Sequence, residues 1–255
     1  MASAVASIPP VTATNALDSS VDHKVSPINT TIPLEVADES ALSSISSKYE
    51  PESESQLHPP SDPDNLGLTS TKPNHLVTSP YTTPEHQLDL STLDTANRLL
   101  AQALTALTTT RPDYATAPYV ESFNWSMVVE KLHSLASQES VKWKRTSFYV
   151  VAFRSILRAN ADGDRLHLLD ERSHAEAVKS GGLLKYWFGS KNERRENLAT
   201  CVWRNREDAK AGGTGPWHAQ ARGAARTMYE KIEFTTMELV LGVGVGEYVF
   251  RAWKD

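Results

Sequence analysis

The chain of 255 residues has little cysteine and no long hydrophobic run, and each shortage excludes a class of protein. The single cysteine, Cys201, allows no intramolecular disulfide, which fits a reducing compartment. No apolar run approaches the ~18 residues that a membrane-spanning helix needs. The N-terminus has neither the charged start nor the apolar stretch of a signal peptide. We therefore predict a cytoplasmic protein, with a nuclear location left open, and no membrane partner.

Residues 1–90 have few of the side chains that fold a chain. They contain eleven of the fourteen prolines, none of the six tryptophans, and three Lys or Arg against twelve Asp or Glu. An acidic segment without an aromatic cluster or apolar periodicity buries too little apolar surface to offset the entropy of ordering. We predict that residues 1–90 are a disordered acidic tail rich in Ser, Thr and Pro.

Residues 91–255 lack the signatures of metal, nucleotide and nucleic-acid sites. Their 23 Lys or Arg against 19 Asp or Glu make no basic patch of the nucleic-acid kind. The four histidines after residue 90 stand far apart, without Cys-x-x-Cys or His-x-x-x-His spacing. The glycines of "GVGVG" at 242–246 precede a strand, whereas a dinucleotide fingerprint precedes a helix. The sequence predicts no metal, no cofactor and no nucleic-acid partner.

Two helices are predicted in residues 91–140, before the main domain. Leucines recur at helical spacing in "STLDTANRLLAQALTAL", and a second apolar face follows in "NWSMVVEKLHSLAS", with Asn124 as its cap. After residue 140 the pattern changes to short runs rich in β-branched and aromatic residues. The first of these, "SFYVVAFRSIL", reads as a buried strand.

Residues 141–255 predict an α+β fold with a ferredoxin-like antiparallel sheet and two packing helices. The predicted order is strand, helix, strand, strand, helix, strand, with one further strand at the end. Two helices cover only one face of such a sheet. The other face must be covered either by the two leading helices or by a second copy of the chain, and we favour a homodimer.

Several motifs between Phe123 and Trp253 resemble an uncharacterised fungal family of cytosolic proteins of unknown function. They are "SFNW", "FYVVAFRS", "GGLLKYWFG", "NLATCVWR", "GPWHAQAR" and "MYE". The resemblance covers about half of the chain and implies no activity.

A second set of residues is similar to the dimeric α+β barrel superfamily, especially its small YciI-like members. It consists of Asp170, His174, the "SGG" at 180–182 and the later "REDA". The resemblance implies two ferredoxin-like units whose sheets pair around a central cavity. This chain departs from that pattern by its tail, its leading helices and its extra last strand.

Asp170 and His174 are the first candidates for a catalytic site. They lie four residues apart, so they share a face of one helix. A carboxylate beside an imidazole orients the ring and raises its basicity, which suits a general base. The alternative is a capping Asp and an exposed His without chemistry. A place near the start of a helix would also keep the ring neutral.

His218 and Arg222 are the second candidates, as ligand-binding residues. They lie on one flank of the helix after "GGTGP", where the arginine would hold an anion. A solvated helix flank explains them equally well. The glycine cluster itself lacks the Gly-Lys-Ser/Thr of a phosphate loop, and we interpret it as a sharp entry to a helix. Trp187 and Trp203 are the predicted apolar walls of a cavity.

Two functions remain open at this stage. The first is a protein that binds or converts a small molecule in an apolar cavity by histidine acid–base chemistry. The second is a non-catalytic interaction protein regulated through its tail. An apolar pocket that contains His174 or His218 would favour the first. A filled core, with both histidines in contact with bulk solvent, would favour the non-catalytic interaction protein.

Overall fold

A computed structural model describes residues 73–254. The predicted disorder of residues 1–72 lies outside the described residues. Two short strands come first, followed by two helices, and then by an alternation of strands and helices that forms the main domain. The elements are β1 (His75–Leu76), β2 (Leu88–Asp89), α1 (Thr95–Ala103), α2 (Trp125–Gln138), β3 (Thr146–Leu157), α3 (Gly163–Ser180), β4 (Leu183–Phe188), β5 (Glu196–Trp203), α4 (Arg206–Gly212), α5 (Pro216–Met228), β6 (Tyr229–Leu241) and β7 (Tyr248–Ala252).

The main sheet has five strands in the order β4-β5-β3-β6-β7, and each neighbouring pair is antiparallel. The first four strands have the arrangement of a split β-α-β fold, in which β5 lies between the two strands that α3 connects. β7 extends the sheet beside β6, after the glycine-rich turn at 242–246. The predicted α+β, ferredoxin-like fold with an extra last strand is therefore confirmed.

The two faces of the sheet follow from the alternation of side chains along each strand. In β5, Leu198 and Val202 belong to a large apolar core on one face. Ala199, Cys201 and Trp203 line the opposite face. We call the first face the core face and the second the cavity face.

Helices α1 and α2 cover the core face. Their buried side chains, among them Leu100, Trp125 and Leu132, pack with strand residues such as Val150 and Leu239 in one cluster. The sequence left two possibilities for covering this face, the leading helices or a second copy of the chain. The structure shows the leading helices. Pairing of two sheets through this face would require the helices to leave it. A homodimer remains a prediction, and it would have to use another surface.

Residues 73–90 differ from the prediction of a tail that extends to residue 90. Residues 73–90 form a segment that we call the N-terminal strap, in which β1 pairs with β2. The strap lies along the edge strand β4, where Tyr186 N donates to Thr78 O at 3.0 Å. Its residues Tyr81, His86 and Leu88 are buried. The strap was missed because its apolar residues are too few and too irregularly spaced for a periodicity argument. They are buried against a surface built by later residues.

Candidate functional site

A cavity of about 720 Å³ lies between the cavity face of the sheet and helices α3, α4 and α5. Apolar side chains dominate its wall, which is the usual composition of a small-molecule site. Strands β3, β5 and β6 form the floor, and α3 and α5 form the roof. Representative apolar lining residues are Val151, Phe153, Leu169, Phe188, Trp203 and Phe234.

Helix α3 carries His174 into this cavity from its middle, not from its start. The helix begins at Gly163, because Asp162 caps it by accepting a hydrogen bond from Arg165 N at 3.0 Å. The sequence analysis took Asp170 and His174 to lie near the start of their helix, whereas α3 begins at Gly163, well before both residues. The predicted effect of a helix start on His174 is therefore wrong. The ring is kept neutral by burial instead.

His174 is 4% exposed, and its environment makes protonation costly. Burial lowers the pKa of His174 to about 3, with smaller contributions from the charges of His86 and His218. Its Nδ1 lies 2.8 Å from Nδ1 of His86 on the strap. Burial also lowers the pKa of His86. The site thus contains two neighbouring imidazoles that are both neutral at neutral pH.

Asp170 does not form the predicted pair with His174. Its carboxylate accepts hydrogen bonds from Tyr81 on the strap, at 2.6 Å, and from Tyr186 on β4. Burial raises the pKa of Asp170 above its ordinary value, although both hydroxyl donors stabilise the anion. Asp170 therefore links three elements of the fold at the cavity wall, and the partner of His174 is a histidine.

Two buried polar atoms at the cavity have no hydrogen-bond partner among residues 73–254. They are Oγ of Ser173 and Nε2 of His174. Both residues line the cavity and are more than nine-tenths buried. An unpartnered buried polar group costs about 1–3 kcal/mol, so such groups usually have a ligand or water to bind. These two atoms are the unpartnered buried polar atoms among the described side chains that line the cavity.

The start of α5 brings His218 to the same cavity. Glu176 of α3 accepts hydrogen bonds from Trp217 N and His218 N, at 2.8 and 3.1 Å, and its Oε2 lies 3.0 Å from His218 Nδ1. Burial acts to raise the pKa of Glu176, but these donors outweigh it and the pKa is lowered. A Cβ at Gly215 would overlap this carboxylate. The glycine turn therefore seats a protein carboxylate where a phosphate loop would hold an anion.

Arg222 lies one turn further along α5 and also lines the cavity. Its Nη1 donates to Gly213 O at 2.7 Å, which fixes the guanidinium beside the turn between α4 and α5. The side chain is exposed, so it lies at the mouth and not in the apolar interior. The structure places His174 and His218 around one cavity, with Arg222 at its rim.

The two predicted tryptophan walls have different positions. Trp203 lines the cavity and donates from Nε1 to Sγ of Cys201 at 2.9 Å. Trp187 lies on the core face, where it contacts the rings of Tyr114 and Phe123. The prediction for Trp187 is wrong because neighbouring strand residues point to opposite faces, and its neighbour Phe188 is the one at the cavity.

Cys201 is not a nucleophile in this setting. It is 5% exposed, and burial raises the pKa of its thiol to about 12. The prediction that it is a small buried apolar residue agrees with this. In residues 73–254 no group of three or more His, Cys, Asp or Glu is arranged to hold a metal ion. Within the same residues, no helix combines the length and apolarity that crossing a bilayer takes.

Sequence reasoning missed Tyr81, His86 and Tyr186 as site residues. Tyr186 had a usable signal, because it alternates with Phe188 on a strand whose other face is apolar. Tyr81 and His86 lie in the segment assigned to the tail. The only hint was an aromatic ring and a histidine close to "LDL" at 88–90 in an otherwise featureless region.

Solved structures similar to this chain each match about a third of it. A protein described as a putative antibiotic biosynthesis monooxygenase from Nitrosomonas europaea matches with a TM-score of 0.31 and 10% identity, over 34% of this chain and 94% of its own. SnoaB, described as a cofactor-independent oxygenase from Streptomyces nogalater, matches with a TM-score of 0.30 and 11% identity, over 36% and 90%. The likeness concerns fold only.

Comparison of amino-acid sequences identifies a relative with higher identity than these solved structures. The protein UPF0643 PB2B2.08 of the fission yeast Schizosaccharomyces pombe is 34% identical over 196 residues, which cover 74% of this chain and 89% of the yeast protein. The model of the PB2B2.08-like family matches residues 77–252, a span that includes most of the N-terminal strap as well as the sheet and the cavity. The chain therefore belongs to the PB2B2.08-like family, as the resemblance to an uncharacterised fungal family indicated.

Proposed function

We propose that the protein binds a small, mostly apolar molecule in the cavity and moves a proton at His174. The observation that supports this best is the large, mostly apolar cavity, whose lining includes Ser173 and His174, two residues with unpartnered buried polar atoms. A cavity of this kind with a few convergent polar groups is the default form of a ligand site. A neutral buried imidazole is the form of histidine that accepts a proton.

The remaining polar groups suggest how the molecule would be oriented. Ser173 and His174 lie next to each other on α3, so they would contact the same part of the ligand. Arg222 at the mouth is a cation with one N–H used by Gly213, and its other donors are available to an anionic group. The ligand would then have an apolar body in the interior, a proton donor at His174 and an anionic end near the rim.

Histidine acid–base chemistry is the reaction type that these side chains support. Cys201 is a buried thiol, and Asp170 is engaged by two tyrosine hydroxyls, so neither is free to act as a nucleophile. The alternative of a non-catalytic interaction protein rests on residues outside the described part of the chain. The sequence analysis distinguished small-molecule binding from a non-catalytic interaction protein by the environment of the two histidines. His174 and His218 both line the cavity, which supports small-molecule binding.

Filling the cavity should abolish binding of an apolar anion. The probe is 1-anilinonaphthalene-8-sulfonate, whose aromatic body and sulfonate have the chemistry proposed for the ligand. Ala221 lines the cavity from α5, so Ala221→Trp places a bulky ring in it, whereas Ala219 is exposed on the same helix. We expect Ala221→Trp to weaken binding at least roughly tenfold, a loss of about 1.4 kcal/mol. Fluorescence titration of the full chain measures it.

The matched variant Ala219→Trp is expected to bind the probe like the unaltered protein. Both variants should unfold cooperatively in a thermal scan, so that a loss of binding is not a loss of folding. Equal affinities of the two variants would mean that the probe binds elsewhere, and the cavity would then have no ligand of this class.

A further inference from the structure

The strap residue His86 and the helix residue Glu171 continue the polar chain that begins at His174. Nδ1 of His86 lies 2.8 Å from Nδ1 of His174, and its Nε2 lies 3.9 Å from Oε1 of Glu171. The side chain of His86 is 2% exposed and that of Glu171 is 35% exposed. The three groups thus run from the cavity wall to the protein surface.

The short distance between the two rings requires one Nδ1 to carry a proton and the other to be bare, because two N–H groups or two lone pairs repel. If His86 were the donor, its bare Nε2 would face the carboxylate of Glu171, and His174 would hold a buried N–H without an acceptor. If His174 is the donor, Nε2–H of His86 faces the carboxylate instead. Charge attraction favours the second arrangement.

We propose that His86 is a positioning residue that fixes His174 as the Nδ1–H tautomer, and that His174, His86 and Glu171 form a proton path from the cavity to solvent. The inference rests on the proposed function, since it assigns the bare Nε2 of His174 as the base. It adds the route by which the proton leaves. Without such a route, a proton taken up at His174 would create a buried imidazolium, which the surroundings disfavour.

Each proton transfer along the path is balanced. His174 Nε2 takes a proton from a C–H or O–H bond of the bound molecule, and the bonding electron pair stays on that molecule. The Nδ1 proton of His174 passes to Nδ1 of His86, and the Nε2 proton of His86 passes to Glu171. Both rings end neutral, the bound molecule gains one negative charge and Glu171 loses one. The reverse sequence returns the proton to the molecule and resets both rings.

The 3.9 Å distance between His86 Nε2 and Glu171 Oε1 is longer than a hydrogen bond, so transfer to Glu171 requires a change of rotamer in its partly exposed side chain. Other groups also act on the two imidazoles. Arg172 disfavours a cation on His86, and Glu85 favours one. The titratable and charged groups around the pair are Tyr81 and Glu85 on the strap, Asp170, Glu171 and Arg172 on α3, Tyr186 on β4 and His218 on α5.

The tautomers are read directly by long-range ¹H–¹⁵N correlation spectra of the full chain with ¹⁵N-labelled histidine at pH 7.5. We expect His174 as a single tautomer with protonated Nδ1 and bare Nε2, and His86 as the opposite one. Signals are assigned with His174→Gln and His86→Gln. A protonated Nε2 on His174 in the unaltered protein overturns the proposal.

A matched pair of carboxylate variants tests the role of Glu171. Glu171→Gln removes the charge that orients His86, so the single tautomer of His174 should be lost and an Nε2–H population should appear. Glu130→Gln removes an exposed charge on α2, away from both rings, and should leave the tautomer unchanged. The same change in both variants would attribute the tautomer to general charge and overturn the path. Binding of 1-anilinonaphthalene-8-sulfonate in the cavity is measured in a separate experiment. A failure of the proposed function can therefore be distinguished from a failure of the proton path.

Discussion

Leu132→Ala is expected to lower the free energy of unfolding by about 2–5 kcal/mol, the range for a fully buried leucine. Leu132 is 0% exposed on α2 and belongs to the cluster that joins the leading helices to the core face. A loss of this size in the free energy of unfolding is expected only if α2 unfolds together with the rest of the domain. Urea denaturation followed by tryptophan fluorescence measures it.

Met127→Ala is the matched control, because Met127 is on the same helix and 60% exposed. Its effect should stay within about 0.5 kcal/mol, as for most surface substitutions. A change below about 1 kcal/mol for Leu132→Ala would mean that the leading helices are detached from the unfolding unit. The core face would then be available to a second copy of the chain.

The stability of the protein should fall on the acid side because of His174. Unfolded histidine has a pKa near 6.5, and in the folded protein the pKa is about 3. Between these values the unfolded chain binds a proton that the folded chain does not, so stability decreases as pH falls from 6.5 towards 3. Between pH 6.5 and 5 this one group should contribute a loss of roughly 2 kcal/mol.

His174→Gln removes that contribution, so its stability should decline less than that of the unaltered protein over the same pH range. Asp170 acts in the opposite direction, because its raised pKa favours the folded state as it becomes protonated. It is present in both proteins, and the difference between them isolates His174. His75→Gln, a substitution in the strap away from the cavity, is the control. Parallel curves for all three proteins would show that His174 is not buried as a neutral ring.

The fold was predictable from residue 91 onward because its evidence is local. Alternation in β5, the stop signal at Gly181 and Gly182, and the order of strands and helices are each visible within about ten residues. Helix boundaries were less predictable. The start of α3 was misplaced because Asp162 and Gly163 look like loop residues, and only the hydrogen bond to Arg165 N identifies them as a cap.

The site was predictable in part, and the limit was long-range contact. His174, His218, Arg222 and Trp203 do line the cavity, and spacing along a helix or strand was enough to single them out, while their roles stay predictions. The partner of His174 was not found, since His86 lies 88 residues away and reaches it through a strap without periodicity. For the same reason Asp170 was paired with its helix neighbour instead of two distant tyrosines.

The two faces of the sheet differ in how well they tolerate substitution. Val150 belongs to the apolar core beneath the leading helices, and Val151, the next residue, looks into the cavity. A larger side chain on the cavity side fills existing space, whereas one on the core side displaces its neighbours. The size and lining of the cavity can therefore change, in evolution or by design, through every second residue of a strand while the alternate residues keep the protein folded.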